Sequence, residues 1–277
     1  MEGKLYLCPT PIGNLGDMSA RTLEVLKSVD LVAAEDTRVS GLLLSHYGIK
    51  APLISYHEHN ERERAEELLE RLKAGQQLAV VTDAGMPGIS DPGETLVRRC
   101  HEEGISVSAL PGPCAFVTAL AMSGLPTRRF SFEGFLPMQK KERQEVLARL
   151  QDTVGTTIFY EAPHRLKDTL SELAAVYGHR MAATVREVSK KFEEVKRMPL
   201  AELAAYYEEH EPRGEFVILI AGKDKEEQEA ERRLAYENLT IEEHMARYAD
   251  LPEKEAMKAV ARDRGISKRD VYAALKK

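Results

Sequence analysis

The sequence predicts an α/β protein of two domains, the first built on a mostly parallel sheet and the second a mixed α/β unit, followed by a small helical tail. Three observations carry this. Short apolar runs alternate with amphipathic stretches as far as residue 110, the spacing and strand composition change after about residue 120, and the residues beyond 239 read only as short helices.

The runs LYLC (5–8), LVAA (31–34), LISY (53–56), LAVV (78–81) and ISVSAL (105–110) are separated by stretches of helical spacing. That alternation points to βα units and parallel pairing. Within the series, Asp91-Pro92-Gly93-Glu94 reads as a helix start, with Asp91 as N-cap, a proline in the first turn and a glutamate at the capping-box position, and Gly104 closes that helix. After PGPCAFVTALAMSGLP come FSFEGF (130–135), TTIFYE (156–161), MAATVRE (181–187), FEEVKRM (192–198) and EFVILIAG (215–222), with helical stretches at 139–150, 163–176 and 200–210. The unbroken apolar run of the last strand predicts a central position in its sheet. Charged residues 223–233 read as a helical linker, and the end, through a Gly-Ile-Ser turn into RDVYAALKK, has helix-turn-helix-like spacing that equally suits a helical cap. Expected boundaries are 1–118, 119–222 and 223–277.

Composition narrows the functional classes. The chain has 277 residues, 43% hydrophobic and 30% charged, with a formal net charge of -6, the make-up of a soluble globular protein. The first residues carry no signal-peptide core and no stretch reaches membrane-spanning length, so a cytoplasmic protein is expected. Cys8, Cys100 and Cys114 form no CxxC pair, which points to reduced thiols. His57 and His59 lack a third partner at ligand spacing, so no metal is expected. Charge is uneven: residues 251–277 hold eight Lys/Arg against four Asp/Glu, leaving -10 on the remainder. A basic tail of this kind can touch phosphate.

Three loops at the carboxyl ends of the first strands are chemically unusual: Pro9 to Asp17, Asp83 to Gly93, and Pro111 to Ala115. In open parallel sheets ligands bind beyond those strand ends. Glycine permits close backbone approach and proline stiffens the turn, so the loops read as rigid, amide-lined walls. None carries GxxxxGK[ST], and none is a GxGxxG followed by the usual acidic residue, which disfavours triphosphate and dinucleotide sites. A ligand held by backbone groups, with a carboxylate for an amino or hydroxyl group, fits better.

The motifs PTPIGNLGD, AAEDTR, DAGMPGISDPG, PGPCA, FEGFLP, FYEAPHR and REVSKKFEE, in this order over residues 4–222, resemble the tetrapyrrole methylase superfamily, and within it the branch acting on ribosomal RNA. The resemblance implies a two-domain α/β homodimer binding S-adenosylmethionine in the cleft between domains. It further implies methylation of a cytidine ribose 2′-hydroxyl in the 16S rRNA of the 30S subunit. Carried over by motif, the cofactor regions are Pro11 and Ile12; Asp83, Ala84, Gly85, Met86 and Ile89; Cys114 and Ala115; Tyr160 and Glu161; Arg186 and Val188; and Gly214, Glu215 and Phe216. The family's second loop often reads DAGTP, and Met86 departs from it, so this side chain is expected to pack rather than hydrogen-bond.

Methyl transfer from a sulfonium needs alignment, and a weak hydroxyl nucleophile gains from a base or a cation. Glu187 and Lys190 are the candidates for those catalytic roles, although a surface ion pair on a hairpin has the same sequence. Arg38, His164, Arg165, Lys191, Lys268 and Arg269 are candidate RNA contacts; Asp36 or Thr37 beside Arg38 reads equally as a helix N-cap, and Pro163 makes His164 and Arg165 an ordinary first helical turn. Two alternatives stand beside this reading: carbon methylation of a porphyrinoid, and a non-catalytic cofactor- or RNA-binding regulator.

Overall fold

The computed structural model describes residues 2–224 and 233–276; most of the stretch expected as a helical linker, 225–232, lies outside the described residues. One compact unit runs through Gln151 and resumes over Thr156–Ala221, and it contains both sheets. Asp152–Gly155 belongs with the residues from Gly222 onward in a second unit.

The first sheet consists of β1 (Lys4–Leu7), β2 (Leu31–Ala34), β3 (Leu53–Ser55), β4 (Gln77–Val81) and β5 (Ser106–Ala109) in the order β3-β2-β4-β1-β5, with every pair parallel. The helices between them are α1 (Ala20–Ser28), α2 (Thr37–His46), α3 (Glu61–Lys73) and α4 (Glu94–Glu102), and α5 (Ala115–Ser123) follows β5. β2 is buried along its whole length, as a strand covered on both faces must be. α3 shows how the pattern works: Ala65, Leu68, Leu69 and Leu72 form its buried stripe, while Glu67 pairs with Arg64 and Arg71 on the outer face.

The second sheet is mixed, in the order β6-β7-β10-β8-β9. Its strands are β6 (Phe130–Phe135), β7 (Thr156–Glu161), β8 (Met181–Arg186), β9 (Glu194–Pro199) and β10 (Phe216–Ile220). β10 is central, antiparallel to both β7 and β8, and all five of its residues are buried, as its apolar run predicts. α6 (Lys140–Leu150), α7 (Leu166–Tyr177) and α8 (Leu200–Glu209) pack beside it, and a two-pronged Arg143–Glu172 pair at 2.6 and 2.7 Å joins α6 to α7. A register shift between Phe132 and Phe135, with Gly134 at φ +65°, bulges β6 toward its end and turns Phe135 outward.

One expectation is corrected. Asp91 does not cap α4. The N-cap position is Gly93, with no side-chain cap of its own, and the amides of Gly93 and Thr95 donate instead to Glu61 Oε1 of α3 at 3.2 and 3.3 Å. A carboxylate from a neighbouring helix serves the α4 N-terminus as well as a local one would, which leaves Asp91 free of that duty.

In the second unit, α9 (Ile241–Ala246), α10 (Glu253–Arg264) and α11 (Lys268–Leu275) enclose a small core of Met257, Val260, Ala261 and Val271. Gly265, left-handed at φ +62°, ends α10, and Ser267 with Asp270 forms the capping box that opens α11. Buried His244 stacks on Tyr236 with ring centroids 3.9 Å apart.

The second sheet's core gives a direct test. Phe159 of β7 is fully buried, and Phe159→Ala is expected to cost about 3–5 kcal/mol, read as a lower urea midpoint with an unchanged slope.

Candidate functional site

Two of the glycine-proline loops are stitched together by the backbone. The Thr10 amide donates to the Gly85 carbonyl at 2.9 Å and the Gly85 amide returns a bond to the Thr10 carbonyl at 3.1 Å. Buried Thr10 also donates its hydroxyl to the Thr82 carbonyl at 3.0 Å. The loops after β1 and β4 therefore act as one rigid wall at the strand ends.

That wall faces the second sheet across a cavity of about 440 Å³, within the range of small-molecule sites. Ile12, Ala84, Gly85, Met86 and Ile89 line the first side, Cys114 and Ala115 the start of α5, and Tyr160, Glu161, Val188, Glu215 and Phe216 the second. These are residues the resemblance points to. Pro11, Asp83, Arg186 and Gly214 flank the cavity in sequence and do not line it. Ser90, Asp91, Phe135, Ala162, Pro163 and Val217 line it as well and were not among the sequence candidates. For Phe135 a signal exists in the sequence, since Gly134 inside a strand pattern marks a bulge; for Asp91 the helix-start pattern conceals it.

The polar groups divide into committed and open ones. Glu161 accepts from Thr169 Oγ1 at 2.6 Å and from the Ala162 amide at 2.8 Å, and its side chain is wholly buried. Arg165 lies 3.4 Å from it and donates to the Leu136 carbonyl at 2.9 Å, so its guanidinium is occupied inside the protein. Tyr160 accepts from the Phe116 amide at 3.2 Å, which serves the first turn of α5. Burial of that tyrosine and of Cys114 raises both pKa values.

At the cavity's edge the β8–β9 hairpin carries the Glu187–Lys190 pair. Lys190 Nζ lies 3.0 Å from Glu187 Oε1 and 2.7 Å from Glu215 Oε2, and the Glu215 amide donates to Glu187 Oε1 at 3.0 Å. Burial pulls the Glu187 carboxyl up, but the Glu215 amide and Lys190 together hold it below the ordinary value. Burial lowers and the two carboxylates raise Lys190, and the net shift is upward. Glu187 and Ser189 adopt left-handed backbone at φ 52° and 64°, strain that the surrounding contacts must hold. Ser189 Oγ donates to Asp17 of the first loop, and Arg186 reaches the Phe192 carbonyl at 3.2 Å.

An acidic edge lies opposite. The Asp83 amide donates to Glu35 Oε2 and the Asp36 amide to Asp83 Oδ1, each at 3.2 Å. Asp36 caps α2 and pairs with Arg38 at 2.6 Å, whose hydrogen bonds hold that carboxyl at about 2. Burial, followed by the charges of Glu35 and Asp83, pushes Asp91 up to about 7. Among the described residues lining the cavity there is no lysine or arginine, so the interior suits a largely apolar ligand with a cationic group rather than a polyphosphate.

Of the candidate RNA contacts, Arg38 and His164 are exposed, and Lys191 is exposed with Nζ 5.6 Å from the Phe192 ring centroid. Lys268 and Arg269 stand in the first turn of α11 in the second unit.

Gly214 provides a test of the hairpin lock. It sits at φ +84°, where an added Cβ would lie 2.6 Å from the Glu187 side chain, whereas Gly48 at φ +66° has nothing within 4 Å. Gly48→Ala is expected to lose only the left-handed backbone penalty, about 1–2 kcal/mol. Gly214→Ala should lower the melting temperature further, because it adds the clash.

Comparison with known proteins is consistent with this geometry. Residues 4–204 match the model of the family described as Tetrapyrrole (Corrin/Porphyrin) Methylases. The chain is 46% identical over 274 residues to the ribosomal RNA small subunit methyltransferase I of Escherichia coli O157:H7, covering 98% of this chain and 94% of that protein. It is also 46% identical to the protein of that name from Bacillus subtilis (strain 168), with the same coverage. Among solved structures, uroporphyrin-III-C-methyltransferase from Thermus thermophilus superposes with a TM-score of 0.55 at 20% identity, covering 78% of this chain and 94% of that one. A diphthine synthase does so with a TM-score of 0.60 at 14% identity, covering 79% and 90%. At those identities the two structures show a shared fold.

Proposed function

The chain belongs to the tetrapyrrole methylases, and from that premise we propose that it transfers a methyl group from S-adenosylmethionine to the ribose 2′-hydroxyl of a cytidine in 16S rRNA of the 30S subunit, as a cytoplasmic homodimer. The observation that carries this reading is the extent of the likeness. Small-subunit rRNA methyltransferases match along 98% of the chain, helical tail included, whereas the porphyrin enzyme shares only the fold over 78% of it.

The cavity fits the cofactor. Its walls are apolar at Ile12, Met86, Ile89, Val188 and Phe216, its loops approach closely through Gly85, and among the described residues its lining includes no lysine or arginine that would repel a sulfonium. Ile12, Gly85, Cys114 and Ala115 would hold one side of the molecule, Tyr160, Val188 and Phe216 the other, and Asp83, next in the chain to lining residue Ala84, would supply a carboxylate oxygen to an amino or hydroxyl group. When bound, the cofactor supplies an electrophilic methyl carbon. The protein's part is alignment and charge management.

Lys190 is the cation nearest the acceptor in this reading. Tethered between Glu187 and Glu215, it stabilises negative charge developing on the ribose oxygen or grips the neighbouring phosphate. Glu187, whose Oε1 accepts from both Lys190 and the Glu215 amide, orients that lysine. Exposed Arg38, His164 and Lys191 are positioned for phosphate contact outside the cavity, with Lys268 and Arg269 contributing from the tail.

Labelled methyl transfer to 30S subunits lacking the modification tests the proposal. Label should appear in a 2′-O-methylcytidine, and Lys190→Ala should slow transfer by about 10²-fold, the scale for losing one charge-stabilising donor. Tight cofactor binding with no label in 16S rRNA would overturn it. Transfer to a porphyrinoid instead would establish the carbon-methylation alternative, and no transfer at all the regulatory one.

A further inference from the structure

Asp91 is the one carboxyl of the cavity wall without a task in the fold. Among the described residues no hydrogen bond or ion pair reaches its side chain, although it is half-buried. The backbone around it is fixed: Ser90 is left-handed at φ 62°, Gly93 stands at φ +145°, and the Gly88 amide closes the loop onto the Pro92 carbonyl at 3.1 Å. Glu61 has taken over the helix-capping role that the local sequence suits. A preorganised carboxyl facing an apolar cavity is costly unless a ligand uses it.

The titratable groups facing Asp91 are Glu35 from the end of β2, Asp83 from the end of β4 and the Tyr160 hydroxyl of β7. None is a cation. Burial is the largest influence and the two carboxylates add to it, which places Asp91 at about 7. Glu187, the other carboxyl considered for proton transfer, is held below its ordinary value by the Glu215 amide and Lys190, which both engage its Oε1, so it is the weaker base of the two. A base acts best when its pKa lies near the working pH.

We propose that Asp91 is the general base of the transfer, its carboxylate accepting the proton of the acceptor hydroxyl. This rests on the methyl-transfer reading above. The hydroxyl oxygen forms a bond to the methyl carbon as that carbon's bond to sulfur breaks; sulfur keeps the electron pair and leaves neutral. The proton passes to an Asp91 oxygen and is lost to solvent after product leaves.

The test uses the full-length protein, Asp91→Asn and Asp91→Glu. In the protein alone, carboxyl-carbon NMR should show one aspartate signal titrating near 7 that is missing from the Asn variant. Single-turnover transfer to 30S subunits should rise about tenfold per pH unit below 7 and level off above it. Asp91→Asn should lose about 10²–10⁴-fold together with that slope, and Asp91→Glu should recover part of both. S-adenosylmethionine affinity by calorimetry should change less than threefold. Folding is checked by melting: a raised carboxyl pKa gives stability that is full below about 4 and lost as pH rises through about 7. The Asn variant should therefore melt above wild type at pH 8 and level with it below pH 4. Wild-type rate and slope in Asp91→Asn, or loss of cofactor affinity equal to the loss of rate, would overturn the assignment while leaving the transfer reading intact. A wild-type protein that labels no RNA would overturn both.

Discussion

The reciprocal amide bonds between Thr10 and Gly85 are the constraint on which the cavity depends. Two loops rich in glycine and proline have few side chains with which to hold each other, and the backbone does it directly, from strand ends whose spacing the parallel sheet already sets. From that seam the first loop reaches the second sheet: Asp17 receives Ser189, and Gly13 lies against the aliphatic stem of Lys190. An added Cβ at Gly13 would come within 2.2 Å of that stem. The hairpin carrying Lys190 is thus aligned from the first sheet as much as from its own strands.

A second theme is that helix ends near the cavity are served by neighbours. Glu61 of α3 serves α4 and Tyr160 of β7 serves α5. Orphan amides must be satisfied by some acceptor, and importing it frees the local side chain. The same Glu61 oxygen also accepts from Tyr56, which is fully buried, so this cap is locked from the core side. Freedom at Asp91 has its origin in packing between α3, α4 and β3's end rather than in the loop itself.

Much of this was legible in the chain, for a physical reason. Strand order cannot be read from one sequence, but burial can: FVILI has no polar face to offer solvent, so β10 had to be interior, and LVAA likewise. The three unusual loops announced themselves because glycine and proline have strong local meaning. What stayed hidden depended on long-range partners. Glu61 lies some thirty residues before the helix it caps, and no local pattern distinguishes it from an ordinary first-turn glutamate; the DPGE stretch looked complete without it. Phe135 lines the cavity just after the bulge at Gly134, and Arg165, a phosphate ligand by type, is occupied by the Leu136 carbonyl and the Glu161 carboxylate.

The lack of lysine and arginine among the described residues of the cavity lining bears on how a polyanion is received there. A partly open space lined by Asp91, Glu161 and Glu215 disfavours phosphate, and the exposed Arg38 and Lys191, with Lys190 at the rim, lie away from the lining. Cations outside and carboxylates within sort a polyanion by charge: phosphate is favoured on the outer side, and only an uncharged portion is tolerated at the lining.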